Sequence, residues 1–174
     1  MKQLLNLKPV VLAASIALGL PVALAQAQPA PDVIAGMNES PLHDAARMGS
    51  RQDVEQLLKA SPQHRDARTP LGASPLHYAA MNGDSGPLQA LLAAGANPNA
   101  RDSDGRTPLH MAAFSTRKDS ALLLLQAGAD PLLKTNDGRD VLSMARKVRA
   151  DEIAGEISLW ILKGCKPGKP VKGC

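Results

Sequence analysis

The chain has 174 residues, a formal charge of +4 and one residue each of Trp, Tyr and Phe. Lys2 and Lys8 supply half of that charge, so the remainder is close to neutral and gives no reason to expect nucleic acid as a partner. With so few aromatic side chains, the core must be built from Ala, Leu, Val and Ile in thin layers.

In chain order, the first predicted element is a leader over residues 1–27. Lys2 and Lys8 make a positive start, Val10 to Leu20 is an apolar run, and Ala25-Gln26-Ala27 is an A-x-A cleavage pattern. The apolar run is short and meets Pro21, which suits a secretory signal better than a membrane anchor. Cleavage after Ala27 and export to the periplasm are therefore expected, with no stable membrane insertion. No Cys stands at the cleavage point to accept a lipid. Residues 28–39 read as a short flexible lead in which Val33, Ile34 and Met37 can cover the end of the domain.

A repeat follows. Ser40-Pro41-Leu42-His43 recurs as Ser74-Pro75-Leu76-His77 and as Thr107-Pro108-Leu109-His110, with the histidines 34 and 33 residues apart. Each motif is followed by one variable residue and two alanines: Ala45-Ala46, Ala79-Ala80 and Ala112-Ala113. Leucine pairs then recur in phase at Leu57-Leu58, Leu91-Leu92 and Leu124-Leu125, with Gly95-Ala96 and Gly128-Ala129 behind the second and third. The Ser or Thr can cap a helix start, and Pro in the first turn loses no hydrogen bond. Gly95 and Gly128 can end the second helices in the left-handed conformation.

This pattern resembles the ankyrin family, whose repeat is roughly 33 residues long with a T-P-L-H-x-A signature. The resemblance implies an all-α solenoid of about four helix-turn-helix units. Their expected boundaries are 40–73, 74–106 and 107–139, with a degenerate capping unit at 140–162 and a basic Gly/Pro tail at 163–174. Unit four keeps only the apolar pattern at Asp140-Val141-Leu142-Ser143, and its second helix is expected over Glu152 to Leu162. Departures are visible. Thr116 stands where Gly49 and Gly83 occur, Gly86-Pro87 disturbs a helix start, and Ser61-Pro62 replaces Gly-Ala with one extra residue near Leu71.

Cys165 and Cys174 are the two cysteines, and in an oxidising compartment they can close a small loop. Such a bridge pins the tail and contributes at most about 3 kcal/mol. The rival reading is a frayed tail with free thiols. Lys163, Lys166, Lys169 and Lys172 read as a solubilising tail, or else as a contact for anionic lipid or polymer.

His43, His77 and His110 invite a metal reading. Successive repeats stack roughly 10 Å apart, the thickness of a helix, whereas zinc holds nitrogen at about 2 Å. One ion cannot serve all three. The resemblance instead implies hydrogen bonds between adjacent loops, and His64 reads as a surface loop residue. No G-x-S-x-G, H-E-x-x-H, Walker A or C-x-x-C pattern occurs, and neither enzyme activity nor a cofactor is expected.

The resemblance places partner binding on the concave face formed by first helices and turn tips. The residue after each motif histidine gives Asp44, Tyr78 and Met111, with Met144 as the match in unit four. The residue after each Ala-Ala gives Arg47, Met81 and Phe114, with Lys147 as a weaker match. These make an apolar strip with charged ends, suited to a protein interface. The competing reading is ordinary inter-repeat core. Turn-tip candidates are Arg101, Asp102 and Asn136, with Ser103, Lys134 and Asp137 behind them. The expected function is that of a monomeric periplasmic module binding a protein partner. Similarity to small secreted bacterial ankyrin proteins, some associated with a periplasmic catalase and peroxide resistance, implies an accessory role. An immunity protein against a toxin and a structural envelope protein are the alternatives.

Overall fold

The computed structural model describes residues 39–165. The leader, the lead through residue 38, Lys166, Lys169, Lys172 and Cys174 lie outside the described residues. Eight α-helices follow in pairs: α1 (Pro41–Met48) and α2 (Arg51–Ala60), α3 (Pro75–Ala79) and α4 (Gly86–Ala93), α5 (Pro108–Phe114) and α6 (Lys118–Gln126), α7 (Val141–Lys147) and α8 (Asp151–Leu162). The expected four-unit, all-α repeat is what the chain forms. A 3₁₀ turn at Pro62–Asp66 takes up the irregular segment after α2.

The first helices stack in series, α1 on α3, α3 on α5 and α5 on α7, while α2 packs on α4 and α6 on α8. The motif leucines Leu42, Leu76 and Leu109 are buried, as are the alanine pairs; in unit four Val141, at the place of the motif proline, is buried and Leu142, at the place of the leucine, is half-buried. Alanine at these positions lets neighbouring backbones approach, so the layer stays thin and continuous from repeat to repeat. Val54, Leu88, Leu91, Leu124 and Leu125 fill the layer behind it. In the last unit Ile153, Ile157 and Trp160 of α8 close the end of the core. Cys165 packs there too and is disulfide-bonded.

The helix ends follow from the residues already singled out. Ser40, Ser74 and Thr107 cap α1, α3 and α5, each with Pro as the next residue. The motif histidine completes each cap: its Nδ1 accepts from the cap residue's backbone N–H at 3.0, 3.1 and 3.2 Å in turn. Asp140 takes over in unit four, where its Oδ1 accepts from the Ser143 N–H at 2.8 Å. Gly95 and Gly128 have φ of 83° and 99°, which lets the Ala96 and Ala129 amides reach back to the Leu91 and Leu124 carbonyls. Thr116 also has positive φ, 55°, a strained setting for a β-branched residue.

The turn tips are tied to one another. Arg68 donates to the Arg101 carbonyl at 2.9 Å, and Arg101 donates to the Lys134 carbonyl at 2.8 Å, one repeat further on. The Ser103 amide donates to the Leu71 carbonyl and the Asn136 amide to the Asp104 carbonyl. Asn99 links two loops as well, donating to the Gly128 carbonyl and accepting from the Asp130 amide.

Candidate functional site

The three motif histidines belong to the frame. Each is at most 1% exposed. A backbone N–H can only donate, so Nδ1 is the acceptor and the proton sits on Nε2. That Nε2–H donates to the Ala67 carbonyl from His43, at 3.2 Å, and to the Arg106 carbonyl from His77, at 3.1 Å. His110 departs from the pattern. The Arg139 carbonyl is its counterpart acceptor, yet no hydrogen bond of normal geometry closes and its Nε2 is buried without a partner. Burial holds all three imidazoles below the usual histidine range, and the backbone carbonyls offset this only in part. Among the described residues no group of His, Cys, Asp and Glu is placed to hold a metal ion, and no helix is long and apolar enough to cross a membrane.

The concave positions divide into two halves of opposite character. At the α1/α3 end, Asp44 and Arg47 form an ion pair at 2.6 Å. Arg47 also reaches the Glu39 carboxylate at 3.5 Å and lies 5.5 Å from the Tyr78 ring centre. Tyr78 donates its hydroxyl to Glu39 at 2.8 Å and meets the His43 ring edge-on. Burial, then the Glu39 carboxylate, raises the phenol above its usual range. Glu39 was not legible as a site residue, since it lies just outside the repeat register. Tyr78 is therefore engaged within the chain.

At the α5/α7 end the surface opens into a groove of about 340 Å³. Its apolar lining is Met111 and Phe114 from α5 and Met144 from α7. Met144 is 7% exposed and forms floor, whereas Phe114 is 55% exposed and stands at the edge. Lys147 projects at the α7 side, and Asp104, Arg106, Asn136, Asp137 and Arg139 form the rim on the turn side. Arg106 pairs with Asp104 at 2.7 Å and Arg139 with Asp137 at 3.1 Å. Lys147 has no ion-pair partner among the described residues. Arg106 and Arg139 were missed because they immediately precede the motif and read as loop. The signal that could have found them is their matching position one repeat apart.

The expected strip is thus not continuous. Met111, Phe114 and Met144 come together, with Lys147 beside them. Asp44, Arg47 and Tyr78 gather around Glu39 instead. Met81 lies between, half-buried, with its carbonyl accepting from Arg117 at 3.2 Å. The turn-tip candidates have structural occupations: Arg101 grips the next turn, and Asp102 Oδ1 accepts from the Asp104 and Arg106 amides. Asn136 donates to the Ser103 carbonyl at 2.8 Å while its outer side lines the groove.

Stacked helix pairs with an open, amphipathic groove and no cluster of metal ligands among the described residues define a repeat scaffold whose work is to hold another molecule. A family model for ankyrin repeats, in three copies, matches residues 42–135. The chain belongs to the ankyrin-repeat family, and it is a non-catalytic protein of the kind that mediates protein–protein interactions. Among curated proteins none matches it. The family match ends before α7, so the fourth unit is recognised from its stacking on α5.

Proposed function

We propose that this protein is exported to the periplasm and holds a protein partner there in the groove between α5 and α7, as an accessory to an exported enzyme such as a catalase. The observation that carries the binding reading is the open groove, which leaves Phe114 exposed and Met111 half-buried beside Lys147, a lysine with no ion-pair partner among the described residues. Large exposed apolar side chains set beside charged ones are the usual anchors of an interface. The leader pattern of residues 1–27 supports export; the accessory role extends the family resemblance of the repeats and has no matching curated protein behind it.

The test is capture from periplasmic extract, run with the chain and with a Met111→Ala/Phe114→Ala variant of equal helicity. A partner held by the first and lost by the second supports the groove. An enzyme as that partner supports the accessory role, and a toxin domain supports the immunity reading instead. Equal capture by both proteins refutes binding in this groove. Fractionation of expressing cells settles export: full-length chain confined to the cytoplasm refutes it.

A further inference from the structure

The groove between α5 and α7 has a chemical preference that follows from comparing the two ends of the molecule. The inter-repeat position filled by Arg47 and Tyr78 at the first end is filled by Phe114 and Met144 at the other. At the first end the chain places one of its own carboxylates there. Glu39 accepts the Tyr78 hydroxyl at 2.8 Å and faces Arg47 at 3.5 Å. The last groove is lined by Arg106, Arg139 and Lys147 with Asp104 and Asp137, and Arg106 and Arg139 stand at the register position that Glu39 holds at the first end. Lys147 has no ion-pair partner among the described residues. Among the described residues Arg106 and Arg139 are paired only with aspartates two residues away in their own turns, in exposed pairs that a ligand can displace.

From this complementarity we infer that the α5/α7 groove binds a peptide segment in which an apolar side chain lies next to a carboxylate. The inference rests on the reading of this groove as the partner site and adds the chemistry of what enters it. The apolar side chain packs on Met111, Phe114 and Met144, and the carboxylate meets Lys147, with Arg106 or Arg139 as second donor. The volume of about 340 Å³ is near the lower end of the roughly 300–1,000 Å³ typical of small-ligand sites, room for one or two side chains. The groove is also open along one side, with Phe114 at 55% exposure, so an extended chain can continue past the anchor.

The experiment is fluorescence anisotropy with the purified chain and labelled Gly/Ser decapeptides carrying a central Glu-Leu, Gln-Leu or Glu-Ala pair; dodecanoate is added as competitor. The Glu-Leu peptide is expected to bind at least about fivefold more tightly than either control, a difference of about 1 kcal/mol. Lys147→Glu should weaken it about fivefold and Phe114→Ala about tenfold, as expected for a rim charge and an anchor. Lys59→Glu on α2, a charge change of equal size remote from the groove, should leave binding within twofold. Both groove residues are exposed, and circular dichroism confirms folding. Equal affinity for Glu-Leu and Gln-Leu, indifference to Lys147→Glu, or no binding of any peptide at millimolar concentration overturns the inference. Displacement by dodecanoate at lower concentration than unlabelled peptide also overturns it, in favour of a fatty-acid site. A partner captured from extract in a Phe114-dependent way that lacks any acidic–apolar contact sinks this inference alone and leaves the groove reading standing.

Discussion

The repeat histidines offer a stability experiment with an internal control. His77 and His110 are equally buried, hold the same place in successive repeats and cap their helices with the same Nδ1 contact. They differ at Nε2, which His77 bonds to the Arg106 carbonyl at 3.1 Å and His110 bonds to nothing. Asparagine places an oxygen near the Nδ1 position but does not reach Nε2. His77→Asn therefore loses a hydrogen bond between loops, although the Arg106 carbonyl keeps the Asp102 amide, and His110→Asn loses only ring packing. The net worth of one such bond is about 0.5–1.5 kcal/mol, and His77→Asn should cost about that much more than His110→Asn. With a urea slope of about 2 kcal/mol per molar, the two midpoints should differ by about 0.3–0.7 M. Urea unfolding followed by far-UV circular dichroism measures this, with unchanged slope as the check on two-state behaviour. Equal midpoints, or a lower midpoint for His110→Asn, would refute the assignment of an inter-loop bond to His77 that His110 lacks.

Three further outcomes are expected. Thr116→Gly relieves a β-branched residue at φ 55° and should stabilise by about 1 kcal/mol net of the greater freedom of glycine when unfolded, raising Tm by about 4 °C in a thermal melt. Gly105→Ala should destabilise by more than about 2 kcal/mol, because φ is 75° and the new methyl would strike the Asn136 and Arg101 side chains; a midpoint within error of the parent would contradict this packing. The three imidazoles lie below the unfolded value of 6.5, so below that pH the unfolded chain binds more protons than the folded one. Stability should be level above pH 6.5 and fall as pH drops below it, by up to about 1.4 kcal/mol per pH unit for each histidine. Urea midpoints from pH 7.5 to 5 should show the fall, and His77→Asn should make it shallower.

The architecture was readable because each unit carries its own punctuation. Ser40, Ser74 and Thr107 start a helix, the next proline fixes its first turn, and Leu with Ala-Ala marks the stacked face; three copies in phase leave one solution. The site was readable only where it depends on a helix position. Met111, Phe114 and Met144 fell in register, so the sequence places them on one face and the structure brings them together. Glu39 sits before the first repeat, and its role arises from contact with Tyr78 on another helix, which no local pattern encodes. Arg101, Asp102 and Asn136 show the converse. A side chain that serves a backbone carbonyl of the neighbouring repeat, as Arg101 and Asn136 do, or the amides of its own turn, as Asp102 does, looks in sequence like any exposed turn residue. The break in the strip at Met81 likewise depends on how adjacent helices offset.

The ties between turn tips, Arg68 to the Arg101 carbonyl and Arg101 to the Lys134 carbonyl, bear on the thermodynamics of any association along this edge. Ordering a loose loop costs roughly 0.5–1.5 kcal/mol for each side chain immobilised on binding. These tips are already held at the spacing of the repeats, so a guest lying across them meets a surface whose entropy was spent when the chain folded. Association there is expected to be close to rigid docking, with the conformational cost falling mainly on the guest.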